Sequence, residues 1–108
     1  MRKFTKELKL INQARKILGK KPLVKMLHQK KGDWISKSCP LARAFKASVD
    51  CKEVIFDNIT FEQMKQIKNV WKTRSDEEDI YKCIDLPKIL VKFVKDFDNG
   101  KYPELKKR

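Results

Sequence analysis

The chain has 108 residues, 27 of them Lys or Arg and 14 Asp or Glu, which leaves a formal net charge of +13. That length is about one domain, and an apolar share of 41% fits a folded unit rather than a disordered tail. No run of about 18 apolar residues is present, which excludes a membrane-spanning helix, and no secretory apolar stretch follows the basic start, so the expected setting is the cytoplasm.

The first element is a helix from Phe4 to Leu18. Phe4, Leu8, Leu10, Ile11, Ala14, Ile17 and Leu18 share one half of a helical wheel, and Lys6, Lys9, Gln13, Lys16 and Lys20 share the other. Thr5 or its predecessors can cap the start, and Gly19 suits the stop. Pro22 fits the first turn of a second, shorter helix over residues 23–29. Residues 32–38 read as a loop carrying Trp34. Ser38 or Cys39 then caps a helix with Pro40 in first position and an apolar face of Leu41, Ala42, Ala44 and Phe45.

Residues 52–57 are short, β-branched and aromatic, and are the best strand in the chain. Thr60 with Gln63 forms a capping box for a helix whose apolar set is Phe61, Met64, Ile67, Val70 and Trp71. Ser75 with Glu78 forms a second box at the acidic run 76–79, where negative charge suits a helix start. Residues 80–84 fit a helical turn or a strand equally. Leu86 to Phe97 is the clearest helix, with Asp85 as its cap, Pro87 in its first turn and Gly100 as its stop. The expected fold is α+β: one small, mostly helical domain with one or two short strands. A basic amphipathic helical arm over residues 1–31 precedes a compact core over 32–108.

Two stretches in this core, Cys39-Pro40-Leu41-Ala42-Arg43-Ala44-Phe45 and Leu86-Pro87 followed by Phe93, Phe97, Asp98 and Gly100, resemble a paired pattern. It is found in a group of small uncharacterised proteins of bacteriophages, prophages and bacteria. The resemblance covers about a quarter of the chain, residues 33–45 and 86–100. It implies a compact α+β unit of phage or mobile-element origin and brings no activity or catalytic residue. The chain departs from the pattern in a longer middle segment and in its basic N-terminal part.

The charge is uneven. Residues 1–52 hold 15 basic residues against three acids, a net +12, whereas residues 53–108 hold 12 against 11. Lys outnumbers Arg 22 to 5, which an AT-rich genome explains, but codon bias does not remove acids from the first half. Such an excess points to an anionic partner.

Catalytic readings find little support. The single histidine, His28, lies in a basic segment with no motif pairing it to a cysteine. No phosphate-cradling glycine loop exists among three glycines. Cys39, Cys51 and Cys83 with His28 lack the paired spacing of a zinc site, and a nuclease built on Asp50 and Glu53 has nothing to select it. No enzyme activity, cofactor or metal is expected.

Binding is the expected role. Residues 1–31 carry eleven basic residues against one acid and can neutralise several phosphates of DNA or RNA. The candidate contacts are Arg2, Lys3, Lys6, Lys9, Lys16, Lys20, Lys21, Lys25, Lys30 and Lys31, with Trp34 and Phe45 able to stack on bases. Lysine binds phosphate as a point charge, so weak sequence preference is expected. The second reading is a phage-encoded inhibitor or adaptor that docks its lysine face on an acidic host protein. The third is a membrane-surface helix over residues 2–21.

Overall fold

The computed structural model describes residues 4–29, 39–56, 58–72 and 83–105. In chain order the elements are helix α1 (Thr5–Ile17), helix α2 (Pro40–Phe45), strands β1 (Ser48–Val49) and β2 (Glu53–Ile55), helix α3 (Phe61–Trp71), strand β3 (Cys83–Asp85), helix α4 (Lys88–Asp98) and a 3₁₀ turn at Pro103–Leu105. The fold is α+β, a single small domain that is mostly helical, with one antiparallel sheet of order β1-β2-β3. Among the described residues no helix is long and apolar enough to cross a membrane.

Period-2 alternation builds the sheet's inner face. Val49 faces Val54 and Val54 faces Ile84, so one buried row crosses all three strands. The opposite face places Glu53 beside Asp85 and Ile55 beside Cys83. A short turn joins β1 to β2, and Asp50 Oδ1 closes it by accepting from the Lys52 and Glu53 amides. Strand β1 was not legible in the sequence, because two residues carry no period.

The helices close over this row. Ile11 and Ala14 of α1 are fully buried, and α1 packs mainly against α3 while also touching α2 and α4. Trp71 on α3 fixes that pairing, its indole Nε1 donating to the Leu10 carbonyl at 2.9 Å. Phe45 packs edge-on against Phe56 and Trp71. A second aromatic group joins Phe4, Phe93 and Tyr102.

Local signals behave as expected where their partners are close in sequence. Cys39 caps α2, its Sγ accepting from the Ala42 amide with Pro40 next in line. Thr60 and Gln63 form the capping box of α3 in both directions. Gly19 and Gly100 follow α1 and α4 with φ of 76° and 83°, the left-handed region that glycine enters freely. Of residues 80–84, Cys83 and Ile84 belong to β3.

Five expectations are corrected. Residues 23–29 are not helical, because distant groups take their backbone: Asn12 bonds both polar groups of Leu23, Arg43 bonds the His28 carbonyl, and the Gln29 amide donates to Leu105. Helix α1 begins at Thr5 rather than at Phe4; Phe4, a predecessor of Thr5 as the sequence allowed, occupies the cap position in a left-handed conformation that turns its ring onto Phe93 and Tyr102. Asp85 ends β3 rather than capping α4, whose cap residue is Pro87. Phe61, counted in the apolar face of α3, is 52% exposed and is covered by the Lys65 ammonium at 4.8 Å from its ring centre. Phe45 is buried in the core and is not free to stack on bases. The loop at residues 32–38 and the acidic run 76–79 lie outside the described residues.

Candidate nucleic-acid interface

Helix α1 divides its basic residues between two duties. Lys6, Lys9 and Lys16 are exposed and form no ion pair or hydrogen bond among the described residues. At 1.5 Å per residue they span about 15 Å along the helix axis. Glu7 is the only acid in α1, in its first turn, where it suits the helix dipole.

The other cations turn inward. Arg15 donates through Nε to the Lys21 carbonyl at 2.8 Å and through Nη1 to the Ala44 carbonyl. Lys20 Nζ donates to the Phe45 carbonyl at 3.1 Å. Both therefore hold the C-terminal carbonyls of α2, where a helix leaves acceptors unpaired and its dipole is negative. Burial lowers the Arg15 guanidinium from its ordinary value. Lys20 is lowered by burial first, then by the positive charges of Arg15 and Lys46. Three cations thus crowd one helix end, and an anion placed beside them would relieve the repulsion.

That crowding borders a shallow depression of about 520 Å³ lined by Lys9, Asn12, Gln13, Lys16, Lys20 and Pro22. Mostly carbon lines it, so methylene stems and the Pro22 ring form the wall. Gln13 Oε1 is buried and has no hydrogen-bond partner. Of the residues named from sequence, the structure gathers Lys9, Lys16 and Lys20 at this depression. Lys6, Lys21 and Lys25 are exposed elsewhere on the same segment. Arg2, Lys3, Lys30, Lys31 and Trp34 lie outside the described residues.

A larger groove of about 740 Å³ runs between α1 and residues 23–28. Phe4, Leu8, Leu23, Val24, Met26 and Leu105 give it an apolar lining, and Lys9 and Lys25 border it. Sequence reasoning missed this groove, since it depends on a non-helical segment held by Asn12. It also missed the inward duty of Arg15; the one available signal was its place beside the lysine stripe rather than in it.

Thiol chemistry has little footing in Cys39 or Cys83. Burial raises the Cys39 thiol above its ordinary value. Cys83 is pushed up to about 12, by burial first and then by Glu53, Asp50 and Asp85. Both stay protonated near neutrality, whereas a nucleophilic cysteine needs the opposite shift. Among the described residues, no group of three or more His, Cys, Asp or Glu side chains is placed to hold a metal ion. Compared with protein-family models, with curated proteins and with solved structures, the chain finds no match in any of the three.

Proposed function

We propose that this protein is a small, non-catalytic binder of nucleic acid, DNA or RNA, that meets phosphates through the basic face of α1 and the segment after it. The observation that carries the reading is the meeting of the exposed Lys9 and Lys16 with Lys20 at one depression, beside the end of α2 where Arg15, Lys20 and Lys46 already crowd each other. Lys6, Lys21 and Lys25 add exposed positive charge on either side. Between Glu7 and Asp33 the sequence has no acid to offset them. Ammonium groups on flexible stems recognise phosphate by charge rather than base identity, so the binding is sequence-tolerant. On this reading the protein works in the cytoplasm of a bacterial host, in keeping with the phage resemblance of its core.

A salt titration of binding to mixed-sequence DNA and RNA tests this. Log affinity is expected to fall linearly with log salt, as counterions are released from each neutralised phosphate. Replacing Lys6, Lys9 and Lys16 together by Gln is expected to flatten that slope by about two to three contacts, at about 0.7 to 0.9 per contact, with the circular dichroism spectrum unchanged. Absence of binding at low salt would overturn the reading.

A further inference from the structure

The groove beside α1 has features that phosphate binding does not use. Val24, a β-branched apolar residue, is 87% exposed at its edge. Val24, Lys25, Met26 and Leu27 make no backbone hydrogen bond among the described residues, although Met26 is only 4% exposed. Unpaired peptide groups beside an apolar surface are costly to bury and ready to pair. The two ends of this run are fixed, Leu23 by Asn12 and His28–Gln29 by Arg43 and Leu105. The run is therefore held at both ends, which lowers the ordering cost of binding.

The unpaired groups include donors and acceptors alike. A DNA backbone supplies acceptors only and would leave the carbonyls of residues 24–27 unmatched, and an RNA backbone adds only its 2′-hydroxyl donors. A polypeptide supplies both in alternation. Apart from the Phe4 ring the apolar lining is aliphatic and suits aliphatic side chains, and the groove contains no acid while Lys9, Lys25 and His28 border it.

We propose that the groove between α1 and residues 23–28 binds an acidic, apolar linear segment of a partner protein. The segment hydrogen-bonds the backbone of Val24–Leu27, sets its apolar side chains against Leu8, Met26 and Leu105, and points its carboxylates at Lys9 and Lys25. An extended segment with alternating apolar and acidic residues meets all three demands, since alternate side chains point to opposite sides. The site goes beyond phosphate binding and stands independently of it. Lys9 borders both hollows, so the two ligands compete in part.

The test uses the full chain, labelled with nitrogen-15, and four fluorescent probes: an octapeptide alternating Asp and Leu, octa-aspartate, an octapeptide alternating Lys and Leu, and an oligothymidylate. The Asp–Leu peptide is expected to bind at least about tenfold more tightly than either peptide control. It is also expected to shift the amide resonances of residues 24–27 and slow their hydrogen exchange. Val24→Glu, at a position too exposed to disturb folding, is expected to weaken that peptide at least about tenfold and to weaken oligothymidylate by clearly less, through its added charge alone. Octa-aspartate binding as tightly as the Asp–Leu peptide, unmoved amides at 24–27, or an ineffective Val24→Glu would overturn the proposal. So would oligothymidylate moving those amides in the peptide's stead, which would assign the groove to nucleic acid. Failure of the salt titration alone would leave it standing.

Discussion

The side chain of Asn12 holds both backbone polar groups of Leu23. Its Nδ2 donates to the Leu23 carbonyl at 2.9 Å, and its Oδ1 accepts from the Leu23 amide at 2.7 Å. One amide side chain thereby does what a neighbouring strand would do, and it draws residues 23–28 along α1 instead of letting them coil. Asn12→Ala removes both bonds and leaves a half-buried peptide unit without partners. The expected loss is about 1–3 kcal/mol, read from urea denaturation. The amide resonances of residues 23–28 are expected to move more than those of β2 or α4.

Arg15 links α1 to the end of α2 and to the Lys21 carbonyl. Hydrogen bonds from a charged donor contribute about 1.5–3 kcal/mol each, less where water screens them, as it does at the Lys21 end. Arg15→Met keeps much of the stem and is expected to cost about 2 kcal/mol in the same assay. Lys16→Gln, one position further along, is expected to leave stability unchanged and to weaken polyanion binding. Equal stability losses for the two variants would refute the division between inward and outward cations.

Thr60 and Gln63 close the start of α3 reciprocally. Thr60→Ala removes the side-chain acceptor for the Gln63 amide and is expected to cost about 1 kcal/mol. Thr60→Ser restores the acceptor and is expected to recover most of it. Thermal melts of the two variants separate the cap from any loss of methyl packing.

Alkali is expected to weaken the fold through Cys83. Its thiol, ordinarily near 9.0, is pushed up to about 12 by burial, by a hydrogen bond to Glu53 and by the charges of Glu53, Asp50 and Asp85. The folded state thus holds the proton that the unfolded chain releases earlier. The stability this confers is full below about pH 9 and is lost as pH rises toward about 12. Cys39 and Tyr102 are raised too, each by burial first, and act in the same sense, whereas Lys20 is lowered and acts in the opposite one. The informative comparison is therefore with Cys83→Ala. Its urea midpoint is expected to fall less than that of the parent chain over this range, and parallel curves would refute the assignment.

What the sequence made legible was local. Pro40, Thr60 with Gln63, Gly19 and Gly100 act within a few residues of themselves, and each marks a boundary that the structure keeps. The apolar period of α1, α3 and α4 points to the buried residues Ile11, Met64, Ile67 and Phe93. The segment after Pro22 was not legible, because its conformation is decided by Asn12, Arg43 and Leu105, which stand 11 to 76 residues away in sequence. The same reason hid the split among the cations. A helical wheel separates Lys20 from Ile17, but it cannot show that Lys20 faces the end of another helix.

Trp71 gives the protein an optical report on itself. Its indole is 4% exposed and donates to the Leu10 carbonyl, so its emission depends on whether the basic helix stays seated on the core. The chain has one other tryptophan, Trp34, and with that residue changed to Phe the signal belongs to Trp71 alone. Detachment of α1 would then redden the fluorescence, while binding of a ligand to the outer lysines would leave it blue. The same cuvette can therefore tell a partner that occupies the helix from one that pries it loose.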